Sequence, residues 1–152
     1  MSSKEREILI SLSSLLLVGL PYIVSVFITY QDKNLSNDEE LKFWATAILI
    51  MIPLRIVSMI VMYILVAIAT AIATGKESDF KEIVDERDKL IDLKGERNGQ
   101  AVFLIGFGLA LVSAAIGQSL AVMFSIIVVF GVLSEVIGSL SKICYYRGKL
   151  KA

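Results

Sequence analysis

Four long apolar stretches, separated by charged or polar residues, dominate the pattern along the chain. They cover residues 8–30, 41–74, 101–118 and 120–143. A helix needs about 20 apolar residues to cross the hydrocarbon core of a membrane, and irregular backbone cannot face lipid. The pattern therefore predicts an all-α fold, a four-helix transmembrane bundle.

The second stretch, residues 41–74, is longer than one span requires. As a single helix it would be about 50 Å long, against a hydrocarbon core of about 30 Å. Pro53 lies inside it, and proline removes a backbone hydrogen bond and kinks a helix. We predict a helix kinked near Pro53. The alternatives are an interfacial segment over residues 41–52 followed by the span, and one long helix that projects into the cytoplasm.

The charged segment that follows, residues 76–100, is also patterned as a helix. Its apolar residues recur at roughly helical spacing, and it contains no proline. We predict a cytoplasmic amphipathic helix over residues 79–96, which either continues into the third span or breaks at Gly95. The segment has six basic and eight acidic residues, so it does not form a basic patch for anionic lipids.

The distribution of basic residues predicts the orientation of the four spans. Of the 15 lysines and arginines, twelve lie in the N-terminal segment, the 76–100 segment and the C-terminal tail. Lys33 and Lys42 lie on the opposite side. Because cytoplasmic loops carry the excess of Lys and Arg, we predict a multi-pass membrane protein with both termini in the cytoplasm.

Composition narrows the possible chemistry. Hydrophobic residues make up 56% of the chain, against about 45–50% in soluble domains, and the formal net charge is zero. There is no footprint for nucleic acid. The chain has no histidine and one cysteine, Cys144, so most metal centres and His-dependent catalytic groups are unavailable. We predict one domain, residues 1–152, with no cofactor, no metal and no catalytic residue, although an enzyme is not excluded.

Glu135 is the most informative polar residue of the four stretches. It lies seven residues before Lys142, so about 10 Å inside the cytoplasmic boundary. Acids within a membrane face protein or water and often mark proton or substrate paths. One interpretation is a proton- or cation-binding carboxylate, with Tyr22 or Arg55 as helpers. The other is a structural acid held between helices.

Arg55 lies in the second stretch, and its depth decides its role. Counted back from Lys76, it lies about 30 Å away, near the outer interface, where its guanidinium would reach the headgroups. The alternative is an ion pair with Glu135. The difference in depth between the two residues argues against that pair.

Small residues at helical spacing predict where helices pack. Gly106, Ala110 and Ala114 follow one another at spacing four in the third stretch, and Gly131 and Gly138 flank Glu135 in the fourth. Small residues let helices approach closely. The stripe therefore serves either a tight hairpin between the third and fourth helices or a homodimer.

Three carboxylates of the predicted cytoplasmic helix, Asp85, Asp88 and Asp92, share one face. Divalent cations prefer clustered oxygen ligands, so a metal-dependent membrane enzyme is one alternative. Basic residues are interleaved with these acids, Arg97 among them, and we instead predict a solvated face with salt bridges. That surface would be available for protein contacts.

The run DERDKLIDLKGERN, residues 85–98, leads directly into the third apolar stretch. Over residues 85–111 the chain resembles small prokaryotic inner-membrane proteins of unknown activity, which have a few helices and an Asp-Glu-Arg motif before the last pair. The resemblance implies a prokaryotic cytoplasmic membrane protein. It supplies no catalytic residue.

Together these patterns predict a non-enzymatic membrane protein that acts through protein contacts, of an accessory, regulatory or immunity type. Its partners would be the lipid bilayer and either further copies of itself or another membrane protein. The alternative is a small oligomeric channel or proton-coupled transporter that uses Glu135.

Overall fold

The computed structural model describes residues 3–33, 35–74 and 86–148. Every regular element in these ranges is a helix, as the apolar pattern predicts. The elements are α1 (Ser3–Ser14), a π-helical turn (Leu15–Gly19), α2 (Leu20–Gln31), α3 (Asn37–Thr74), α4 (Glu86–Ala115) and α5 (Leu120–Tyr146).

Four helical stretches in the described part of the chain are long and apolar enough to cross a membrane. They are Glu5–Gln31, Asp38–Ala73, Glu86–Ala115 and Leu120–Tyr146. The chain divides into two compact units, Met1–Ile83 and Val84–Ala152. The first unit contains α1, the π-helical turn, α2 and α3, and the second contains α4 and α5.

A widened turn in the first stretch precedes Pro21. Proline has no N–H, and its ring crowds the carbonyl four residues earlier, which strains a regular α-helical turn. The chain forms a π-helical turn instead, in which the Leu20 N–H donates to the Leu15 carbonyl. Eight residues of regular helix would turn Ser14 about 80° away from Tyr22. The widened turn absorbs one residue, so Ser14 and Tyr22 face the same side.

A capping box fixes the start of α3. The Ser36 N–H and hydroxyl both donate to Glu39 Oε2, at 3.0 and 2.7 Å. The bond from the Ser36 N–H to the glutamate three residues later is the one that the glutamate of a capping box accepts. The first turn is acidic, which suits the positive end of the helix dipole. The charges at this end of α3 therefore support the helix itself.

α3 continues through Pro53 as one helix and runs antiparallel to α1 and α2. Tyr30 bonds to Glu40, Tyr22 to Ala47 and Arg55 to Ser14. At this register Val66 is level with Ser3, so the last turns of α3 extend about 12 Å beyond the start of α1.

The register bears on the alternatives for residues 41–74. Residues 41–52 lie beside α2, which disagrees with a separate interfacial segment. The structure instead has one long helix, and its projection into the cytoplasm stays a prediction. The kink near Pro53 stays a prediction.

The turn between α4 and α5 is the tight hairpin that the sequence predicts. Gly117 has a φ of +79°, a left-handed conformation that glycine adopts without steric cost. The Gln118 N–H donates to the Ser113 carbonyl at 3.0 Å, and the Gly117 N–H donates to the Ala114 carbonyl at 3.1 Å. These two bonds are the Schellman pattern that ends a helix.

Glycines on facing sides bring the backbones of α4 and α5 into contact. A Cβ placed on Gly99 would lie 2.6 Å from the Ser134 carbonyl oxygen, and one on Gly138 would lie 3.2 Å from the Gly95 carbonyl oxygen. Farther along, a Cβ on Gly106 would lie 2.1 Å from Phe130 Cβ. Such contacts leave no space for larger side chains, so dispersion across the whole seam holds the hairpin.

The packing stripe differs in part from its sequence prediction. Gly106, Ala110 and Gly138 are buried, but Ala114 is exposed and Ser113 is buried in its place. A spacing of four drifts around a helix of 3.6 residues per turn, and a step of three after Ala110 restores the phase. A Cβ on Gly131 would meet no atom within 4 Å, so this glycine lies away from α4.

The charged segment and the third apolar stretch form one helix. α4 begins at Glu86 and passes Gly95 without a break. It is therefore the continuous form of the two alternatives for this segment. The beginning of the predicted cytoplasmic helix, residues 79–85 with Asp85, lies outside the described residues.

Substitution of Gly99 tests the close approach of α4 and α5. In Gly99→Ala the helices have to separate, and we expect the free energy of unfolding in detergent to fall by about 1–3 kcal/mol. Gly108→Ala is the matched control, because nothing lies within 4 Å of a Cβ there. It should gain about 0.5–1 kcal/mol from the better helix propensity of alanine. Circular dichroism would follow the unfolding of both variants. Equal unfolding free energies for Gly99→Ala and Gly108→Ala would contradict the close packing of α4 and α5.

Candidate functional sites

Arg55 forms a polar cluster with two serines of α1. One guanidinium nitrogen, Nη1, donates to the Ser14 hydroxyl. The other, Nη2, donates to the Ser11 carbonyl oxygen at 3.1 Å and lies 3.4 Å from Ser11 Oγ. The Ser14 hydroxyl is fully buried and donates its own proton to the Ser11 carbonyl at 2.9 Å. The Ser14 hydroxyl thus accepts a hydrogen bond from Arg55 and donates one to the backbone of its own helix.

The cluster places Arg55 beside the start of the first apolar stretch. Ser11 and Ser14 follow Ile8, where that stretch begins, by about 5–9 Å. Counting back from Lys76 did not indicate this neighbour, because α3 extends past the start of α1. The depth of Arg55 in a membrane stays a prediction, and the ion pair with Glu135 stays an alternative.

Tyr22 occupies the same face of the first unit. Its hydroxyl donates to the Ala47 carbonyl oxygen at 2.7 Å, across the two helices. Because α3 is a helix, this carbonyl also accepts within its own backbone, so Tyr22 adds a second bond without disturbing α3. Tyr22 therefore ties α2 to α3 and is not brought together with Arg55.

An aromatic cluster closes the end of the first unit that carries the α2–α3 connection. Trp44 is only 1% exposed, and its ring centroid lies 5.4 Å from those of Phe27 and Tyr30. The Tyr30 hydroxyl donates to Glu40 Oε1 at 2.8 Å, which satisfies a carboxylate that is only 7% exposed. Edge and tilted ring contacts of this kind stabilise the packing beyond the free energy gained from apolar burial alone.

Beside this cluster, α2 and α3 line an open groove with a volume of about 540 Å³. It lies wholly within the first unit and is a size that suits small ligands. Its lining residues are Tyr22, Ser25, Val26, Thr29, Lys33, Leu35, Glu39, Lys42, Phe43, Thr46, Ala47 and Ile50.

In the second unit, Glu135 is half-buried on α5. Its neighbour Ser134 forms the backbone contact with Gly99, so Glu135 lies beside the closest backbone approach of the two helices. The Ser134 hydroxyl donates to the Gly131 carbonyl at 2.8 Å, within the same helix. Glu135 therefore stands beside a rigid seam, about two turns from Lys142.

Lys142 joins the two helices where their charges begin. Its Nζ lies 3.5 Å from Asp92 Oδ1 and 3.3 Å from Glu96 Oε1, two carboxylates one helical turn apart on α4. The lysine side chain crosses Gly95, where a Cβ would lie 2.2 Å from Lys142 Cγ. Nearby, Lys94 Nζ lies 5.9 Å from the ring centroid of Tyr145. We call this arrangement, Asp92, Glu96 and Lys142, the carboxylate clamp.

The opposite face of the charged half of α4 exposes two leucines. Leu90 is 55% exposed and Leu93 is 63% exposed, whereas Ile91 is completely buried. Arg97, also exposed, continues the same line because positions i, i+3 and i+7 share a helix face. We call Leu90, Leu93 and Arg97 the outer stripe. From the sequence, these leucines indicate only a helical pattern, because the sequence does not show which face of α4 packs against α5.

One residue of the predicted acidic face takes part in helix packing. Asp92 belongs to the carboxylate clamp, Asp88 is half-buried one turn before it, and Asp85 lies outside the described residues. Among the residues that the structure describes, no group of three or more His, Cys, Asp or Glu side chains is placed to hold a metal ion.

Comparisons with protein-family models, with curated proteins and with solved structures found no match. The resemblance to small prokaryotic inner-membrane proteins therefore stays a prediction, and function has to be argued from the geometry.

Substitution of Ser14 tests the Arg55 cluster. Ser14→Ala removes the acceptor for one guanidinium nitrogen, and we expect the free energy of unfolding in detergent to fall by about 0.5–2 kcal/mol. Ser13→Ala is the matched control, because the Ser13 hydroxyl donates only to the Ile10 carbonyl of its own helix. Chemical unfolding of both variants gives the comparison. A smaller loss in Ser14→Ala than in Ser13→Ala would show that the cluster does not hold the helices.

Proposed function

We propose that the protein is a non-enzymatic multi-pass membrane protein that acts through protein contacts made by the outer stripe of α4. It would serve as an accessory, regulatory or immunity-type component in the prokaryotic cytoplasmic membrane. The observation that carries the proposal is a pair of leucines, each more than half exposed, on a charged helix that is fixed from behind.

Charge keeps this part of α4 out of the hydrocarbon. Between Glu86 and Arg97 the helix carries eight charged residues in twelve positions. Each charged side chain costs about 2.5–3.5 kcal/mol at the centre of a membrane. Leu90 and Leu93 are therefore not exposed to satisfy lipid, in contrast to the apolar residues farther along the helix. Exposed leucines in an aqueous setting favour contact with another protein.

The carboxylate clamp makes the stripe a rigid surface. Lys142 holds the inner face of α4 against α5, and Gly95 and Gly99 allow the backbones to touch. A preordered helix loses little conformational freedom on binding, which raises its affinity for a partner. Leucines at a spacing of three are anchors of the kind that enter an apolar groove on a partner. A cytoplasmic site follows from the excess of basic residues on this side.

A photoreactive amino acid at position 93 tests the proposal in intact membranes. We expect a discrete crosslinked protein adduct, either a dimer or a heteromeric species, and Leu90→Ser should reduce its yield about fivefold or more. Position 104 provides the matched control, because Leu104 is 66% exposed on the apolar half of the same helix. If position 93 crosslinks only to lipid, or no more to protein than position 104, the stripe is not a contact surface.

Glu135 supports a second candidate, a small channel or proton-coupled transporter. The observation in its favour is a half-buried carboxylate in an apolar stretch, beside the closest backbone approach of α4 and α5. Carboxylates in that setting often mark proton or ion paths.

Flux measurements separate the two candidates. On the contact proposal we expect no proton or ion flux above that of empty liposomes, and Glu135→Gln should change only stability, by at most about 1–2 kcal/mol. Glu96→Gln is the control, a carboxylate on the charged half of α4. Flux at two pH values that Glu135→Gln abolishes and Glu96→Gln retains would replace the contact proposal with the transport one.

A further inference from the structure

The groove of the first unit changes in polarity along its length. Lys33, Glu39 and Lys42 lie at the end near the α2–α3 connection, and Tyr22 and Ile50 lie at the other end. Eleven residues separate Lys33 from Tyr22, which corresponds to about 16 Å of helix. Half of a hydrocarbon core is about 15 Å thick. The groove therefore reaches from the level of the headgroups to the middle of the membrane, as one lipid does.

The walls of the groove offer few unsatisfied polar groups below the charged end. The Ser25 hydroxyl donates to the Tyr22 carbonyl at 2.6 Å, and the Thr29 hydroxyl donates to the Ser25 carbonyl at 2.7 Å. The Tyr22 hydroxyl, at the far end of the groove, donates to the Ala47 carbonyl. The lining also includes the apolar side chains of Val26, Phe43 and Ile50. An acyl chain meets an apolar surface there.

The charged end presents two cations and one anion. Lys33 Nζ lies 5.6 Å from the centroid of the Phe43 ring, and within the described residues neither Lys33 nor Lys42 pairs with a carboxylate. Glu39 accepts both bonds from Ser36 through Oε2, so its second oxygen takes no part in them. Ammonium groups recognise phosphate, and a carboxylate recognises a primary ammonium.

We propose that this groove binds an aminophospholipid, with phosphatidylethanolamine as its type. The phosphate lies between Lys33 and Lys42, the headgroup ammonium donates to Glu39, and one acyl chain follows Phe43 and Ile50. An anionic headgroup without an amine fits less well, because it would meet Glu39 and the acidic first turn of α3. A quaternary amine cannot donate a hydrogen bond to the carboxylate. The proposal needs the first unit to lie in a membrane but does not depend on the outer stripe.

Native mass spectrometry of the full-length, delipidated protein tests this assignment. Phosphatidylethanolamine, phosphatidylcholine and phosphatidylglycerol with identical acyl chains would be titrated separately. We expect the ethanolamine lipid to bind about fivefold or more tightly than either of the others. Lys33→Gln with Lys42→Gln should weaken its binding roughly 25-fold, at about fivefold for each lysine. Arg87→Gln with Lys89→Gln is the charge-matched control and should leave binding unchanged.

Glu39→Gln separates headgroup recognition from folding. Glutamine also serves in a capping box, so α3 keeps its start, and circular dichroism should show an unchanged helix. We expect the variant to bind the ethanolamine and choline lipids equally. Thr46→Phe, which fills the groove, should weaken binding of all three lipids. Equal affinities in the wild-type protein, preference for phosphatidylglycerol, or a selectivity that survives Glu39→Gln would overturn the proposal.

Discussion

Two polar side chains of the first unit, Arg55 and Tyr22, bond to neighbouring helices, and these contacts determine how its helices align. Arg55 meets Ser11 and Ser14, and Tyr22 meets a backbone carbonyl of α3. A shift of one residue would break these bonds in a setting where water cannot replace them. The polar contacts therefore set the register, and the aromatic cluster and the groove follow from it.

Pro21 makes this arrangement possible. Without the widened turn before it, Ser14 and Tyr22 would face different directions, and α3 could not satisfy both of its bonds to the first stretch at once. The widened turn that accommodates Pro21 therefore also aligns Ser14 and Tyr22. The same turn leaves α2 in the rotation that lines the groove with Val26 and Thr29. A local backbone feature thus decides the shape of a site more than one turn away.

The second unit is organised by the absence of side chains. Gly95, Gly99 and Gly138 bring two backbones together, and Phe130 fills the space beside Gly106. The close backbone contacts at these glycines set the register, and the Lys142 bonds to Asp92 and Glu96 join the two helices where the charges begin. Because glycines take one face of α4 and Lys142 takes its edge, the leucines are left on the far side. Packing inside the unit therefore creates the outer stripe.

These two modes of packing explain what the sequence could predict. Helix type, the four apolar stretches and the tight turn at Gly117 follow from local composition, and the structure agrees with them. The neighbours of Arg55 did not follow, because they depend on which residues of α1 face it. The role of Leu90 and Leu93 depends in the same way on the face that α5 covers. Both properties depend on which face of one helix packs on its neighbour, and the sequence of a single helix does not determine that.

The two candidate sites also differ in what would select them. The groove combines charge at one end with apolar length at the other, which is the arrangement of a lipid, and the proposed ligand would be supplied by the membrane itself. The outer stripe lies on a charged helix and needs a partner with a complementary apolar surface. A lipid bound in the first unit would stabilise the pair of helices that contains Arg55. A protein bound to the second would extend a hairpin that is already rigid. On the two proposals, the first unit would respond to the lipid and the second would present a surface to a protein partner.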